Sequence, residues 1–275
     1  MHIGGKTKIT GLFGYPVEHT LSPSMHNAAF EHLGLDYCYL PFLVHPDFLR
    51  QAVDAVRALN MTGVNITVPH KEAVIPLLDS VDEEAAFIGA VNTIVNSEGR
   101  LKGYNTDGRG FMRSLSENGI SVENEQVLIV GAGGASRAIS YYLSEKAETL
   151  YLHDVAQNRM DSLVSDLRKI RSNVSSYGQM TNLGSFDVII NATPLGLKAG
   201  DPLPFDVSTL PPGHTVCDLI YRKTRLLEEA AKKGCRTMDG LGMLLWQGVL
   251  AFELWTSAVP PVDLMRNALL KGTGQ

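Results

Sequence analysis

Cysteine is scarce in this chain of 275 residues: Cys38, Cys217 and Cys235 are odd in number, lie far apart and form no C-x-x-C pair. That pattern argues against a disulfide framework and against a thiolate zinc site. The histidines show no H-E-x-x-H spacing, so no metal is expected, and the lack of a G-x-S-x-G turn leaves a hydrolase without support. There is no surplus of positive charge either. Lys and Arg number 24 against 29 Asp and Glu, for a net charge of −5, and neutralising phosphates requires a clustered Lys/Arg excess, so nucleic acid is not expected as a partner. No segment approaches the roughly 18 apolar residues of a membrane span, and the N-terminal Met-His-Ile-Gly-Gly-Lys lacks a signal-peptide core. A cytoplasmic protein with no membrane partner is therefore expected. What is present is a 44% apolar composition, which suffices for buried cores in one large domain or two ordinary ones.

The N-terminal part alternates strands and helices. Strands are predicted over 8–13, 37–44, 63–68, 89–95 and 101–104, with helices after Ser22-Pro23, over 46–59, up to Leu78, over 82–88 and around Phe111 to Leu115. Ser22 as N-cap with Pro23 at the first helical position is a strong helix start, and Thr20 beside it has no capping role to fill. Strand 37–44, helix 46–59 and strand 63–68 imply a parallel pair with a crossover helix. In Asn65-Ile-Thr-Val-Pro-His-Lys71, Ile66 and Val68 alternate with Asn65 and Thr67, so the aliphatic pair is expected on one face and the polar pair on the other. Pro69 ends the ladder because it has no N–H to give. His70, Lys71 and Glu72 then follow a strand end, a common place for reacting groups. Asn92 lies inside an otherwise aliphatic strand and must find hydrogen-bond partners in backbone or ligand.

A polar, turn-rich stretch over 117–126 precedes a second pattern. Val127 to Val130 is a wholly aliphatic strand that runs into Gly131-Ala132-Gly133-Gly134-Ala135-Ser136, and a helix follows from Arg137. Strand, glycine turn and helix open a dinucleotide-binding unit: Gly131 permits the tight turn, Gly133 lets a pyrophosphate reach the backbone, and the helix start supplies N–H donors. Ser136 stands where Gly or Ala is usual, which should loosen helix against strand. Strand 149–154 ends in Asp154, about twenty residues after the glycine turn, where a carboxylate accepts from ribose hydroxyls and repels a 2′-phosphate. NAD is favoured over NADP on that ground, with Arg159 as the counter-argument. Strands 186–191 and 215–221 put Asn191, Thr193 and Tyr221 at carboxyl ends, where open parallel sheets bind ligands.

Together these segments resemble the shikimate dehydrogenase family, including its quinate/shikimate branch, over nearly the whole chain. The resemblance rests on His19-Thr20-Leu21-Ser22-Pro23, Asn65 to Lys71, Gly89-Ala-Val-Asn92-Thr, Asn105-Thr-Asp107-Gly, Gly131 to Ser136, Asn191-Ala-Thr193, and Asp239-Gly240-Leu-Gly-Met243 through Gln247. It implies an α/β protein: an N-terminal three-layer substrate domain over 1–107, a Rossmann-like NAD(P)-binding domain over 108–240, and C-terminal helices over 241–275 returning to the first domain. Thr20, Ser22, Asn65, Thr67, Asn92, Tyr221 and Gln247 would line the substrate site, and Lys71 with Asp107 would be the catalytic pair. Gly131, Ala132, Gly133, Gly134, Ala135, Ser136, Asp154, Asn191, Thr193, Gly240 and Met243 would hold the cofactor. The implied reaction is NAD(P)-dependent oxidoreduction of shikimate and 3-dehydroshikimate in chorismate and aromatic amino acid biosynthesis, by a monomer or homodimer. Two positions depart from the commonest pattern. Thr20 stands where serine is usual, and Asp154-Val155 stands where many NADP-dependent members carry Asn-Arg.

The implied chemistry has one tension. Ketone reduction needs a donor to the developing alkoxide, a role an ammonium fills, whereas alcohol oxidation needs a base. A free lysine has a pKa of about 10.4; a carboxylate partner raises it and desolvation lowers it, so which of Lys71 and Asp107 is the base stays open. Quinate as substrate is the alternative within the family. A methylenetetrahydrofolate-dehydrogenase-type enzyme conflicts with Thr20, Ser22 and the Asn-Thr-Asp-Gly stretch. A non-catalytic nucleotide or metabolite-sensing module conflicts with the presence of both Lys71 and Asp107, although fold alone guarantees no activity.

Overall fold

The computed structural model describes residues 2–198 and 200–273. The chain divides into two compact units, one of Met1–Thr106 with Leu245–Gln275 and one of Asp107–Leu244.

In chain order the first unit contains β1 (Lys8–Gly14), α1 (Ser22–His32), β2 (Tyr37–Leu43), α2 (Leu49–Ala58), β3 (Gly63–Ile66), β4 (Ser80–Val81), α3 (Glu83–Ile88), β5 (Thr93–Ser97) and β6 (Arg100–Tyr104). Its sheet has the order β2-β1-β3-β5-β6-β4. β1 pairs parallel with both β2 and β3, while β5 runs antiparallel to β3 and to β6. The strands joined by the crossover helix α2 do run parallel, but β2 and β3 do not pair with each other as expected, because β1 lies between them and pairs with both. A core of Phe13, Val53, Val56, Val64, Ile66 and Ile94 fills one side.

The alternation read across residues 65–68 does not describe what forms. β3 stops at Ile66, and all of its residues are buried. Asn65 is as enclosed as Ile66, whereas Val68 is 67% exposed. β3 lies centrally with both faces covered, so its side chains are buried whichever way they point, and Pro69 has already released the chain at Thr67 and Val68. Asn92 likewise lies just ahead of β5 rather than inside a strand. The segment before Leu78 is a single 3₁₀ turn, Ile75–Leu77, instead of a helix.

The second unit contains α4 (Asp107–Glu117), β7 (Gln126–Val130), α5 (Gly134–Lys146), β8 (Thr149–His153), α6 (Gln157–Arg168), β9 (Val174–Ser176), β10 (Val188–Asn191), β11 (Thr215–Asp218), α7 (Arg225–Lys232) and β12 (Arg236–Met238). The sheet order is β12-β11-β10-β7-β8-β9, and every pairing is parallel. Counted from β7 this is the doubly wound order 3-2-1-4-5-6, whose direction reverses between β7 and β10. Strands this aliphatic suit a parallel sheet covered on both faces: Val127, Leu128, Ile129, Ile189, Ile190 and Val216 are all buried. Two helices close the chain, α8 (Leu241–Thr256) and α9 (Val262–Thr273), and no helix among the described residues is long and apolar enough to cross a membrane.

Candidate functional site

The first unit gathers polar side chains at the carboxyl ends of β1 and β3. Ser22 opens α1, but it is not the cap: the helix is preceded by Leu21 with no side-chain capping bond. The hydroxyl that meets the helix start is that of Thr20, whose Oγ1 accepts from the Ser22 N–H at 3.3 Å. The roles inferred from the Ser-Pro signal are therefore exchanged. Pro23 falls at the second helical position, which moves the capping duty two residues back and leaves the Ser22 side chain buried at the helix start.

From Tyr39 a buried chain of hydrogen bonds starts. Tyr39 Oη donates to Asn65 Oδ1 at 2.8 Å, and Asn65 Nδ2 donates to Thr93 Oγ1 at 3.0 Å and to the Asn92 carbonyl at 3.2 Å. Asn92 Oδ1 accepts from the Thr106 N–H at 2.8 Å and from Thr93 Oγ1 at 3.0 Å, while its Nδ2 donates to Thr106 Oγ1 at 2.9 Å. Thr106 Oγ1 lies 3.1 Å from the Gln247 carbonyl on α8. Asn65 and Asn92 are thus brought together, and their partners satisfy groups that burial alone would penalise. Tyr39, Thr93 and Thr106 belong to this set and were not singled out from the sequence. Thr93 and Thr106 carried a signal, their places in Gly89-Ala-Val-Asn92-Thr and Asn-Thr-Asp-Gly.

Thr67 is half-buried just past β3, and its N–H donates to the Phe13 carbonyl at 3.0 Å. Lys71 sits on the turn that follows. That turn is pinned at three points: the His70 N–H donates to the Thr67 carbonyl at 2.9 Å, His70 Nε2 donates to the Val44 carbonyl at 2.8 Å, and the Lys71 carbonyl accepts from the Val91 N–H at 2.8 Å. The buried His70 thus packs, as read from the sequence, and Lys71 is half-buried with its backbone tied to the residue before Asn92.

In the second unit, the glycine turn lies at the reversal between β7 and β10. Gly131 has φ of +110°, and a Cβ there would lie 2.9 Å from the Ala192 backbone, so the two turns approach too closely for any side chain. Gly133 precedes α5 with no side-chain cap and open space where a Cβ would stand. Gly134, Ala135 and Ser136 form the first turn of α5, so the helix begins three residues earlier than Arg137. An uncapped helix start with bare backbone fits a pyrophosphate. Ser136 is fully buried, and its hydroxyl has no hydrogen-bond partner among the described residues.

Asp154 follows β8 and bridges two backbone donors: Oδ2 accepts from the Ala132 N–H and Oδ1 from the Ala156 N–H, both at 2.7 Å. Val155 is 97% exposed, and Arg159 is exposed in the first turn of α6. After β10, Asn191 spends its amide within the protein. Its Nδ2 donates to Asp218 Oδ1 at 3.0 Å and the Leu195 carbonyl at 3.2 Å, and its Oδ1 accepts from the Thr193 N–H and Oγ1 at 3.0 and 2.7 Å. Asn191 shapes this turn, and Thr193 is held against it. Asp218 was missed from the sequence. Burial pushes its carboxyl up from the ordinary range, and bonds from Thr224, Ile220 and Asn191 oppose that.

Asp107 is buried as the first residue of α4, directly after Thr106. Tyr221 is half-buried just past β11. A Cβ on Gly240 would collide with the Leu219 carbonyl oxygen, which makes glycine obligatory there, and Met243 is buried on α8. Gln247 follows on the same helix, half-buried. Among the described residues no group of three or more His, Cys, Asp or Glu could hold a metal.

A doubly wound parallel sheet with a glycine turn at its reversal point, in one chain with a second α/β unit that holds a buried polar cluster, defines a two-unit dinucleotide-binding protein of the oxidoreductase kind. Residues 12–94 match the shikimate dehydrogenase substrate binding domain, and residues 240–270 match the shikimate 5′-dehydrogenase C-terminal domain. The shikimate dehydrogenase (NADP(+)) of Desulforamulus reducens is 48% identical, covering 98% of this chain and 97% of its own. A crystal structure of a shikimate dehydrogenase with NADP+ superposes with a TM-score of 0.94 at 38% identity, over 98% of this chain and 97% of that one. The Listeria monocytogenes enzyme with shikimate and NAD gives 0.89 at 36% identity, over 97% and 98%. Quinate dehydrogenase from Corynebacterium glutamicum with NAD gives 0.90 at 34%, over 96% and 99%. The chain belongs to the shikimate dehydrogenase family, and its α/β architecture of substrate-binding and Rossmann-like units is that of the family's solved members.

Proposed function

We propose that the protein interconverts shikimate and 3-dehydroshikimate with a nicotinamide dinucleotide, as a step of chorismate and aromatic amino acid biosynthesis. The observation that carries this is the buried cluster of Asn65 and Asn92 beside the pinned Lys71 turn, in a chain that is 48% identical to a shikimate dehydrogenase over nearly its full length. A ring bearing several hydroxyls and a carboxylate needs such a density of fixed donors and acceptors. Thr20, Ser22, Asn65, Thr67, Asn92, Tyr221 and Gln247 hold the substrate in this proposal. The glycine turn from Gly131 to Ser136 receives the dinucleotide, aided by Asp154, the Asn191–Thr193 turn, Gly240 and Met243.

When bound, the nicotinamide supplies the hydride chemistry. The protein's part is the proton. Lys71, on a turn fixed by His70 and Val91, donates to the oxygen that gains charge during ketone reduction, and Asp107 is its acidic partner in holding or relaying that proton. Fixing the turn matters because a donor misplaced by about 1 Å can forfeit about a hundredfold in rate.

The relatives named for NADP(+) speak for that cofactor, and Asp154 speaks for NAD, because its carboxylate is held in place by two backbone donors and would repel a 2′-phosphate. Our proposal keeps NAD as the preferred cofactor on this geometry. Quinate as substrate is the second possibility, favoured by Thr20 in the usual place of serine and by the likeness to a quinate dehydrogenase. Crossing shikimate and quinate with NAD and NADP, followed by the absorbance of the reduced nicotinamide, tests all of this. Turnover of shikimate with the higher kcat/KM for NAD is expected. A kcat/KM for NADP equal to or above that for NAD removes the cofactor assignment, and no turnover of shikimate removes the substrate.

A further inference from the structure

Tyr39 holds one of the proposed substrate contacts, Asn65, from behind. It is fully buried, and its position is set independently of any ligand. Asn27 of α1 clamps its backbone on both sides, accepting from the Tyr39 N–H at 2.8 Å and donating to the Tyr39 carbonyl at 3.0 Å. Its ring stacks on His26 at a centroid distance of 4.4 Å and an interplanar angle of 11°, with Trp255 of α8 at 6.0 Å. The phenol of a side chain with no freedom to move is a fixed hydrogen-bonding point.

The direction of its bond follows from the neighbours. The Asn92 carbonyl can only accept, so the Asn65 amide must turn Nδ2 toward it and Oδ1 toward Tyr39. Oδ1 can only accept in turn, which commits the phenol proton to Asn65. The phenol therefore holds the Asn65 amide in the orientation that the Asn92 carbonyl dictates.

We propose that Tyr39 is a positioning residue for substrate binding: it presets the Asn65 amide, so that the substrate meets it already oriented. This rests on the functional assignment above. Without the phenol, Asn65 loses the partner on its Oδ1, so the ordering falls on the substrate.

The test is steady-state kinetics of Tyr39→Phe in the full-length protein, with the wild type measured alongside. The expected result is a rise in KM for shikimate of about tenfold, the worth of one buried hydrogen bond, with kcat within about threefold and the cofactor KM unchanged. A residue that merely supports the fold would lower the melting temperature and the active fraction and leave the shikimate KM alone. In an Asn65→Ala background the same substitution should raise KM much less, because Tyr39 acts largely through that amide. Thr93→Val removes the hydroxyl on the other side of the Asn65 amide without changing its shape, and should raise the shikimate KM in the same way; it carries the test if Tyr39→Phe does not fold. A shikimate KM within twofold of wild type in the folded variant overturns the inference. A wild-type protein inactive on shikimate overturns the functional assignment itself and the inference with it.

Discussion

His26 offers the sharpest quantitative test of the packing around the proposed site. Its ring is fully buried, neither nitrogen has a hydrogen-bond partner, and its neighbours are the rings of Tyr39, Phe30, Phe252 and Trp255. Burial lowers its pKa from 6.5 to about 3. The unfolded chain thus binds a proton near pH 6.5 that the folded protein refuses, so stability is undiminished above that value and declines as pH falls toward 3. Each unit in that window costs about 1.4 kcal/mol, which amounts to about 2.7 kcal/mol at about pH 4.5. Other titrating groups contribute to the same pH dependence, and a His26→Leu variant separates them. Leucine has similar volume and no proton to bind, so the carboxylates act equally in both proteins and any change in packing adds an offset independent of pH. Urea unfolding followed by tryptophan fluorescence reads the relevant unit, because Trp246 and Trp255 are the only tryptophans and both lie in residues 245–275. Between about pH 7.5 and about pH 4.5 the wild type should lose about 2 to 3 kcal/mol more than the variant. Parallel losses in the two proteins would refute the assignment of a buried neutral imidazole.

Two further outcomes follow from the same geometry. Lys71→Ala should lower kcat by about a hundredfold or more with a smaller change in the shikimate KM, as befits a proton donor; an unchanged kcat would move the chemistry elsewhere. At Gly63, a Cβ would collide with the Ile94 carbonyl oxygen and Trp255 Nε1, the two ends of a 3.0 Å hydrogen bond between α8 and β5. Gly63→Ala should therefore destabilise the first unit by about 1 to 3 kcal/mol, read as a lowered urea midpoint, and a midpoint equal to wild type would show that the strand and helix yield without cost.

Much of this protein is legible in its amino-acid sequence because the signals are local. A wholly aliphatic run followed by Gly131, Gly133 and Gly134 reads as a buried strand feeding a tight turn and a helix, and the strand–helix alternation before it implies parallel strands joined by a crossover, though not that β1 lies between β2 and β3. Asn65, Asn92 and Lys71 stand out because polar groups at strand ends need a reason to be there. What the tertiary structure decided is who partners whom. The Ser-Pro signal names a helix start, but whether Ser22 or Thr20 meets the first N–H depends on where the chain enters α1. Period-two alternation over residues 65–68 presumes a sheet with one wet face, and β3 has none because it lies between β1 and β5 under cover on both sides. Tyr39 carries no local mark, since a tyrosine in a strand is ordinary, and Thr93 and Thr106 are marked only by the motifs in which they stand. They become part of the site only when strands and helices separated by many residues bring their hydroxyls to the same buried amides, where an unpaired polar group would be too costly to leave.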